Sequence, residues 1–288
     1  LVYTVNELGK YRIIVHNLIT GKENVIFRYG FKNIFQETDF NYPLIAWHPE
    51  KEEMTYVYEH RDVLHLVRYN VTNGEKIDQI IPEEFQRIYS ISYAGDDEYI
   101  LSATTDGWSD LYRYNYKKRN QTRLTEDFYD DLDASYITLG NEKGILFSSN
   151  RQIDSIYPMK LDTILPVNTF DVYFLPDHAK KGIRLTDTPF SNERQPGLYN
   201  YGQILCLGDQ SGINNTYVIQ KNNGLPAPVS NYGRNTISHS FNNSTENYIR
   251  LCIHDGIFRV YKEKIDTKSP VTPFVTAINK SFYQPSIP

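Results

Sequence analysis

Apolar and polar residues alternate along most of this chain with the period of two that a half-buried strand requires. One phrase, a small polar residue followed by alternating apolar and aromatic ones, returns six times, at 11–15, 64–69, 109–114, 170–174, 215–219 and 258–261. Successive copies begin about 43 to 61 residues apart, the period of a four-stranded propeller blade with loops of variable length. The clearest copy runs from 88 to 125. Ile88-Tyr89-Ser90-Ile91-Ser92-Tyr93 alternates as a first strand, and Gly95-Asp96-Asp97 supplies turn chemistry. Strands at 99–103, 110–116 and 121–125 complete the blade, with the polar loop Thr104-Thr105-Asp106-Gly107-Trp108 between the second and third.

The pattern predicts an all-β fold: a six-bladed β-propeller of four-stranded antiparallel blades, the ring closed by N- and C-terminal strands. The expected blades are 1–29 plus a C-terminal strand, 42–82, 88–125, 133–187, 195–232 and 236–275. The first has only three local strands, at 2–5, 11–18 and 23–27, and 271–278 is the remaining candidate to complete it. No helical period extends beyond a turn at 82–85. A single propeller domain fits all 288 residues. Because the chain begins at Leu1 without an initiator Met, a segment of a larger protein is expected.

Hydrophobic residues at 40% suffice for a core, and 24 Tyr suit pleated surfaces. A net charge of −5 offers no basic stripe, which argues against nucleic acid as a partner. No apolar run is long enough for a helical membrane span. Cys206 and Cys252 occupy equivalent strand positions in neighbouring repeats and read as two buried thiols acting as small hydrophobes.

Trp47-His48-Pro49-Glu50-Lys51, and Ser148-Ser149-Asn150-Arg151 leading to Asp171-Val172-Tyr173, resemble the TolB-type propeller repeat. That repeat places a Trp-Ser-Pro-Asp-Gly turn after its first strand and Asp-Ile-Tyr at its third. Here His48 and Glu50 replace the usual Ser and Asp, while a Leu-Thr ending recurs as Leu124-Thr125 and Leu185-Thr186. The resemblance implies a six-bladed propeller of the bacterial cell envelope, periplasmic or envelope-associated, that works by binding other proteins. The same repeat forms the substrate-gating propeller of prolyl oligopeptidase-type serine peptidases, which is the alternative reading, and a propeller glycosidase is a further one.

Candidate chemistry is sparse. Gly107-Trp108-Ser109-Asp110-Leu111 lacks the final Gly of a serine-hydrolase elbow, and Gly208-Asp209-Gln210-Ser211-Gly212 has the wrong spacing. No catalytic residue, metal site or cofactor is therefore expected, and the seven histidines make no ligand pattern. The acidic stretch 126–133 reads as a solvated connection between blades. Asp110, Asp171 and Asn215 recur just before the third strand, where a side-chain oxygen is expected to accept local backbone N–H bonds. Trp47, inside a first strand, is expected in the core, whereas Trp108 lies in a loop. The apolar insertion 152–169 either packs over the ring or binds a partner.

Loops joining second to third strands share a propeller face with those joining consecutive blades. Arg61, Trp108, Arg151, Tyr157, Met159, Arg194 and Asp209 map to that face, and Arg and Trp are residue types that anchor interfaces. A protein or peptide partner is expected there, with Asn73-Gly74 and other tight turns on the opposite face.

Overall fold

A computed structural model describes residues 1–7, 9–30, 41–156, 169–199, 202–219, 225–242, 247–269 and 271–276. All regular structure among them is antiparallel sheet, organised as six blades in chain order. The first contains β1 (Val2–Glu7), β2 (Lys10–His16) and β3 (Glu23–Tyr29). The second contains β4 (Leu44–Trp47), β5 (Glu53–His60), β6 (Val63–Asn70) and β7 (Lys76–Ile80). The third contains β8 (Arg87–Gly95), β9 (Glu98–Thr104), β10 (Ser109–Asn115) and β11 (Asn120–Arg123). The fourth contains β12 (Asp131–Leu139), β13 (Glu142–Ser149), β14 (Asp171–Pro176) and β15 (Ile183–Arg184). The fifth contains β16 (Glu193–Tyr199), β17 (Gln203–Gly208), β18 (Asn215–Ile219) and β19 (Pro226–Pro228). The sixth contains β20 (Thr236–Phe241), β21 (Tyr248–His254) and β22 (Ile257–Glu263). The expected six-bladed propeller is the observed fold.

Central strands read as nearly continuous apolar runs because both faces are covered, each by a different neighbour. In β9, Tyr99 and Leu101 pack with Val57, Leu66 and Ile91 in the seam between blades two and three. Ile100, between them, packs with Ala134, Ile145 and Phe147 in the next seam. In β13 the same alternation sends Ile145 and Phe147 one way and Leu146 towards Ile204 and Cys206. A period-two chain thus feeds two cores at once. Each fully buried aliphatic contributes about 1.5–3 kcal/mol. Both cysteines are buried free thiols, as their sequence positions suggest.

The first strands of blades three and four are stitched together by small hydroxyls. Ser90 and Ser92 of β8 accept the backbone N–H groups of Ala134 and Tyr136 at 2.9 and 3.0 Å. Bulges interrupt the register of β8, β12, β16 and β20 near their starts. They turn Asp133 and Gln195 into positive-φ positions on the same side of the ring.

The N–H of Val271 bonds the carbonyl of Pro228, and that of Thr276 bonds the carbonyl of Ser211. The described part of the 271–278 segment therefore runs along the fifth blade. Among the described residues no strand pairs with the open edge of β1. Trp47 is not a core residue: it closes β4 and stays 40% exposed, because the pleat turns the last residue of this short strand outward.

Candidate functional site

Each third strand begins with a polar set that is inherited or lost as a unit. Thr125 donates to Asp110 at 3.1 Å and accepts the N–H of Leu111 at 2.9 Å, while Arg123 reaches Asp110 at 2.5 Å. Blade four repeats it with Asp171, Thr186 and Arg184, at 3.1 Å and 2.6 Å from the carboxylate. In blade five Asn215 accepts from Ser230 at 3.0 Å and from the N–H of Tyr232 at 2.7 Å, and Pro228 stands in the arginine's register. Blade two carries Val63, Ile80 and Pro82 instead, Ile81 and Leu64 being joined as Leu124 and Leu111 are. The charge and its counter-ion vanish together because either one alone would be a buried, uncompensated ion. The aspartates are structural, as expected, although hydroxyl and guanidinium donors outnumber the backbone ones.

Across the seam, the residue in the same register on the first strand of the following blade matches this polarity. Ile88 packs with Leu64 and Ile81. Asp131 lies close to Asp110, and Asp127 joins them, the three offering oxygens within 4.8 Å of one another. Glu193 follows Asp171, bridged by Thr188, which donates its N–H to Asp171 and its hydroxyl to Glu193 at 2.5 Å. Thr236 follows Asn215, its N–H on the carbonyl of Asn214.

The acidic stretch is therefore not a solvated connection: Asp127 and Asp131 are buried, because they answer an arginine from the same blade. That arginine is Arg151. It is fully buried, not a surface anchor. Its guanidinium reaches both oxygens of Asp131 at 2.7 and 2.6 Å, Asp127 at 3.2 Å, Ser149 Oγ at 3.0 Å and the Ser155 carbonyl at 2.9 Å. The rings of Tyr129, Phe147 and Tyr173 surround it at 5.6 to 5.9 Å. Burial disfavours its charge, but Asp131 and Asp127 outweigh that and raise its pKa. Burial, then the charge of Asp131, pushes Asp110 up to about 7 and Asp127 up to about 6. Burial also pushes Glu193 up to about 7, held back by bonds from Thr188 and Gln210. Arg151 and Arg123 already supply positive charge to the carboxylates that could otherwise ligate a cation. The chemistry available to the cluster is proton uptake near neutrality.

The other expected face residues spread apart. Arg61 and Asp62 form the positive-φ turn between β5 and β6, exposed to solvent. Trp108 is 40% exposed, edge-on to Phe128 with ring centroids 6.3 Å apart. Tyr157 and Met159 lie outside the described residues. Arg194 and Asp209 come together at a cavity of about 400 Å³. Arg194 spans it from the β16 side, pinned by Asp133 at 2.6 Å and stacked 4.7 Å from the Phe170 ring. Asp209 holds Asn192 by its backbone N–H and side-chain amide, at 2.7 and 2.8 Å. Gln195 and Asn214 add further amides, and Leu207 and Ile237 an apolar floor. These residues lie at starts of first and third strands and the end of a second, so the cavity opens on the expected loop face.

Sequence reasoning read Asp127 and Asp131 as solvated and missed Glu193 and Asn192. The signal was an acid six or seven residues beyond each Leu-Thr ending, at Asp131 and Glu193. It also missed Phe190, which is 73% exposed with a φ of 67°.

No family model matches the chain. The Tol-Pal system protein TolB of Helicobacter hepaticus is 30% identical over 155 residues, 54% of this chain and 34% of that protein. The chain thus spans about a third of the curated relative it matches. The crystal structure of TolB from Acinetobacter baumannii superposes with a TM-score of 0.59 at 13% identity, over 92% of this chain and 65% of that one. The structure of a putative TolB from Agrobacterium tumefaciens gives 0.60 at 12% identity, over 92% and 88%. With the repeat motifs and the six observed blades, these likenesses make the chain a TolB-like six-bladed β-propeller.

Proposed function

We propose that this propeller is a non-catalytic scaffold of the bacterial cell envelope, periplasmic, that binds a protein or peptide partner on its loop face. The cavity beside Arg194 and Asp209 carries the reading. Asn192 and Gln195 each spend one amide N–H and one oxygen lone pair within the chain, and the second of each can meet the backbone of an extended segment, to which Phe170, Leu207 and Ile237 give apolar contact. The likeness to a Tol-Pal system protein supports the envelope setting. The two candidate serines serve structure: Ser109 is buried at the start of β10, and Ser211 Oγ donates to the carbonyl of Ile213. A photo-crosslinking residue placed at Ile237, in cells of the source organism, tests the proposal. A discrete adduct from Ile237, absent when the crosslinker replaces Asn73 on the opposite face, supports it. Equal labelling from both faces, or none from Ile237, overturns it.

A further inference from the structure

Blade one carries a second cavity, of about 410 Å³, which shares no residue with the one beside Arg194. Lys10, Arg12 and Arg28 line it, together with Glu7 and Gly30. In the register of β2 and β3, Arg12 stands directly opposite Arg28, and Lys10 lies one pleat along on the same face. The other face of these strands carries Ile13, Phe27 and Tyr29 into the seam with blade two, so the three cations do not serve that packing. Like charges directly opposite each other destabilise a strand pair. Among the described residues Glu7 is the one acid lining the cavity, and it reaches Arg12 at 3.2 Å. Lys10 and Arg28 have no acidic partner among those residues. Three cations against one carboxylate leave two positive charges uncompensated, in a chain whose net charge is −5. The backbone here is also built for an open wall. Gly9 and Gly30 take positive φ, at 81° and 98°, and a Cβ on Gly30 would stand 2.1 Å from the Gly9 carbonyl oxygen. That approach closes the β1–β2 turn against the end of β3 and leaves the cavity wall at Gly30 bare of side chain.

We infer that this cavity binds a phosphate monoester as its dianion, the Arg12 and Arg28 guanidiniums and the Lys10 ammonium answering its oxygens. Two uncompensated charges match a dianion better than a lone carboxylate or a phosphodiester, and guanidiniums suit the terminal oxygens of a phosphate. A small soluble phosphate and the terminal phosphate of a lipid headgroup both offer that chemistry. Isothermal titration with glycerol 3-phosphate at pH 8 reads the site, with dimethyl phosphate, a monoanion, as the comparison. Saturable binding of glycerol 3-phosphate is expected, about tenfold or more tighter than dimethyl phosphate and about tenfold weaker in Arg28→Gln. Glu7→Gln removes the competing carboxylate and should bind several-fold tighter, a gain that a damaged blade could not give. Arg61→Gln, at an exposed arginine of blade two, should leave the affinity unchanged. Flotation with vesicles of phosphatidic acid in phosphatidylcholine separates the two sources. Capture that needs Arg28, without titration by glycerol 3-phosphate, identifies a lipid headgroup, and the reverse identifies a soluble ligand. Thermal melts supply a further readout: without ligand, Arg28→Gln should melt at or above wild type, because it relieves the like-charged pair. Saturation by neither probe, equal affinity for dimethyl phosphate, or a loss shared by Arg61→Gln would overturn the inference. A lower melt of Arg28→Gln without ligand would refute the uncompensated charge on which it stands.

Discussion

Glu193→Gln should make this protein more stable above neutral pH, although it alters a fully buried, fully hydrogen-bonded residue. Burial raises the Glu193 pKa from 4.5 to about 7, and the nearby Asp171 adds to it. A carboxyl that binds its proton more tightly when folded favours the native state fully below the unfolded pKa. That contribution is lost as pH rises from about 4.5 through about 7, and is gone above it. At about 1.36 kcal/mol per unit, the wild type should lose about 3 kcal/mol between pH 4 and pH 8 through this group. Unlike Asp110 or Asp171, Glu193 has hydroxyl and amide partners (Thr188, Ser191 and Gln210), so the substitution discards no ion pair. Gln can accept from one hydroxyl and donate to the other, keeping the network at a cost of about 1 kcal/mol. Net stabilisation of about 2 kcal/mol is expected at pH 8, shrinking to nothing or reversing near pH 5. Urea unfolding followed by tryptophan fluorescence, at intervals from pH 5 to 9, measures both curves. Parallel curves for wild type and variant would refute the raised pKa. A variant less stable at pH 8 would refute the idea that the charge is the costly part.

Three further outcomes are expected. Arg151→Met leaves Asp131 and Asp127 buried without their guanidinium and should lose about 3–5 kcal/mol at pH 8 by urea unfolding, less at pH 5 where Asp127 can take up a proton. His239 is enclosed by Phe241 and Tyr248, with Nε2 on the Gln195 carbonyl, and its pKa falls to about 4 chiefly through burial. It should therefore withdraw up to about 3 kcal/mol as pH drops from 6.5 to 4, a loss that His239→Gln should flatten in the same titration. Gly197→Ala would set a methyl 2.8 Å from the Phe241 ring and should lower stability by about 1–3 kcal/mol, with Phe241→Leu restoring part of it in a double-mutant cycle.

The blades were legible because strand period and turn chemistry act locally. The strands of the 88–125 repeat appear where alternation places them, β8 to β11. What escaped depends on partners distant along the chain. Arg151 follows a strand on the expected loop face, where arginine by type suggests an anchor, and only the closure of the seam shows that Asp127 and Asp131 enclose it. Trp47 obeys the alternation but sits where the strand ends. Of the expected face residues, Arg194 and Asp209 meet at the cavity because strand ends converge there. The strained exposure of Phe190 could be glimpsed only as a Pro-Phe pair where Pro-Gly would be easier.

The polarity matching at the third-strand starts has a consequence for rearranging the ring. Val63 is followed by Ile88, Asp110 by Asp131, Asp171 by Glu193 and Asn215 by Thr236, so at these four boundaries residues of like polarity face each other across the joint. Transplanting a whole blade between positions would set a carboxylate against an isoleucine at one joint or the other. A cassette cut between a first and a second strand would instead carry each matched pair intact. The unit of exchange in this propeller is offset from its visible blades by one strand.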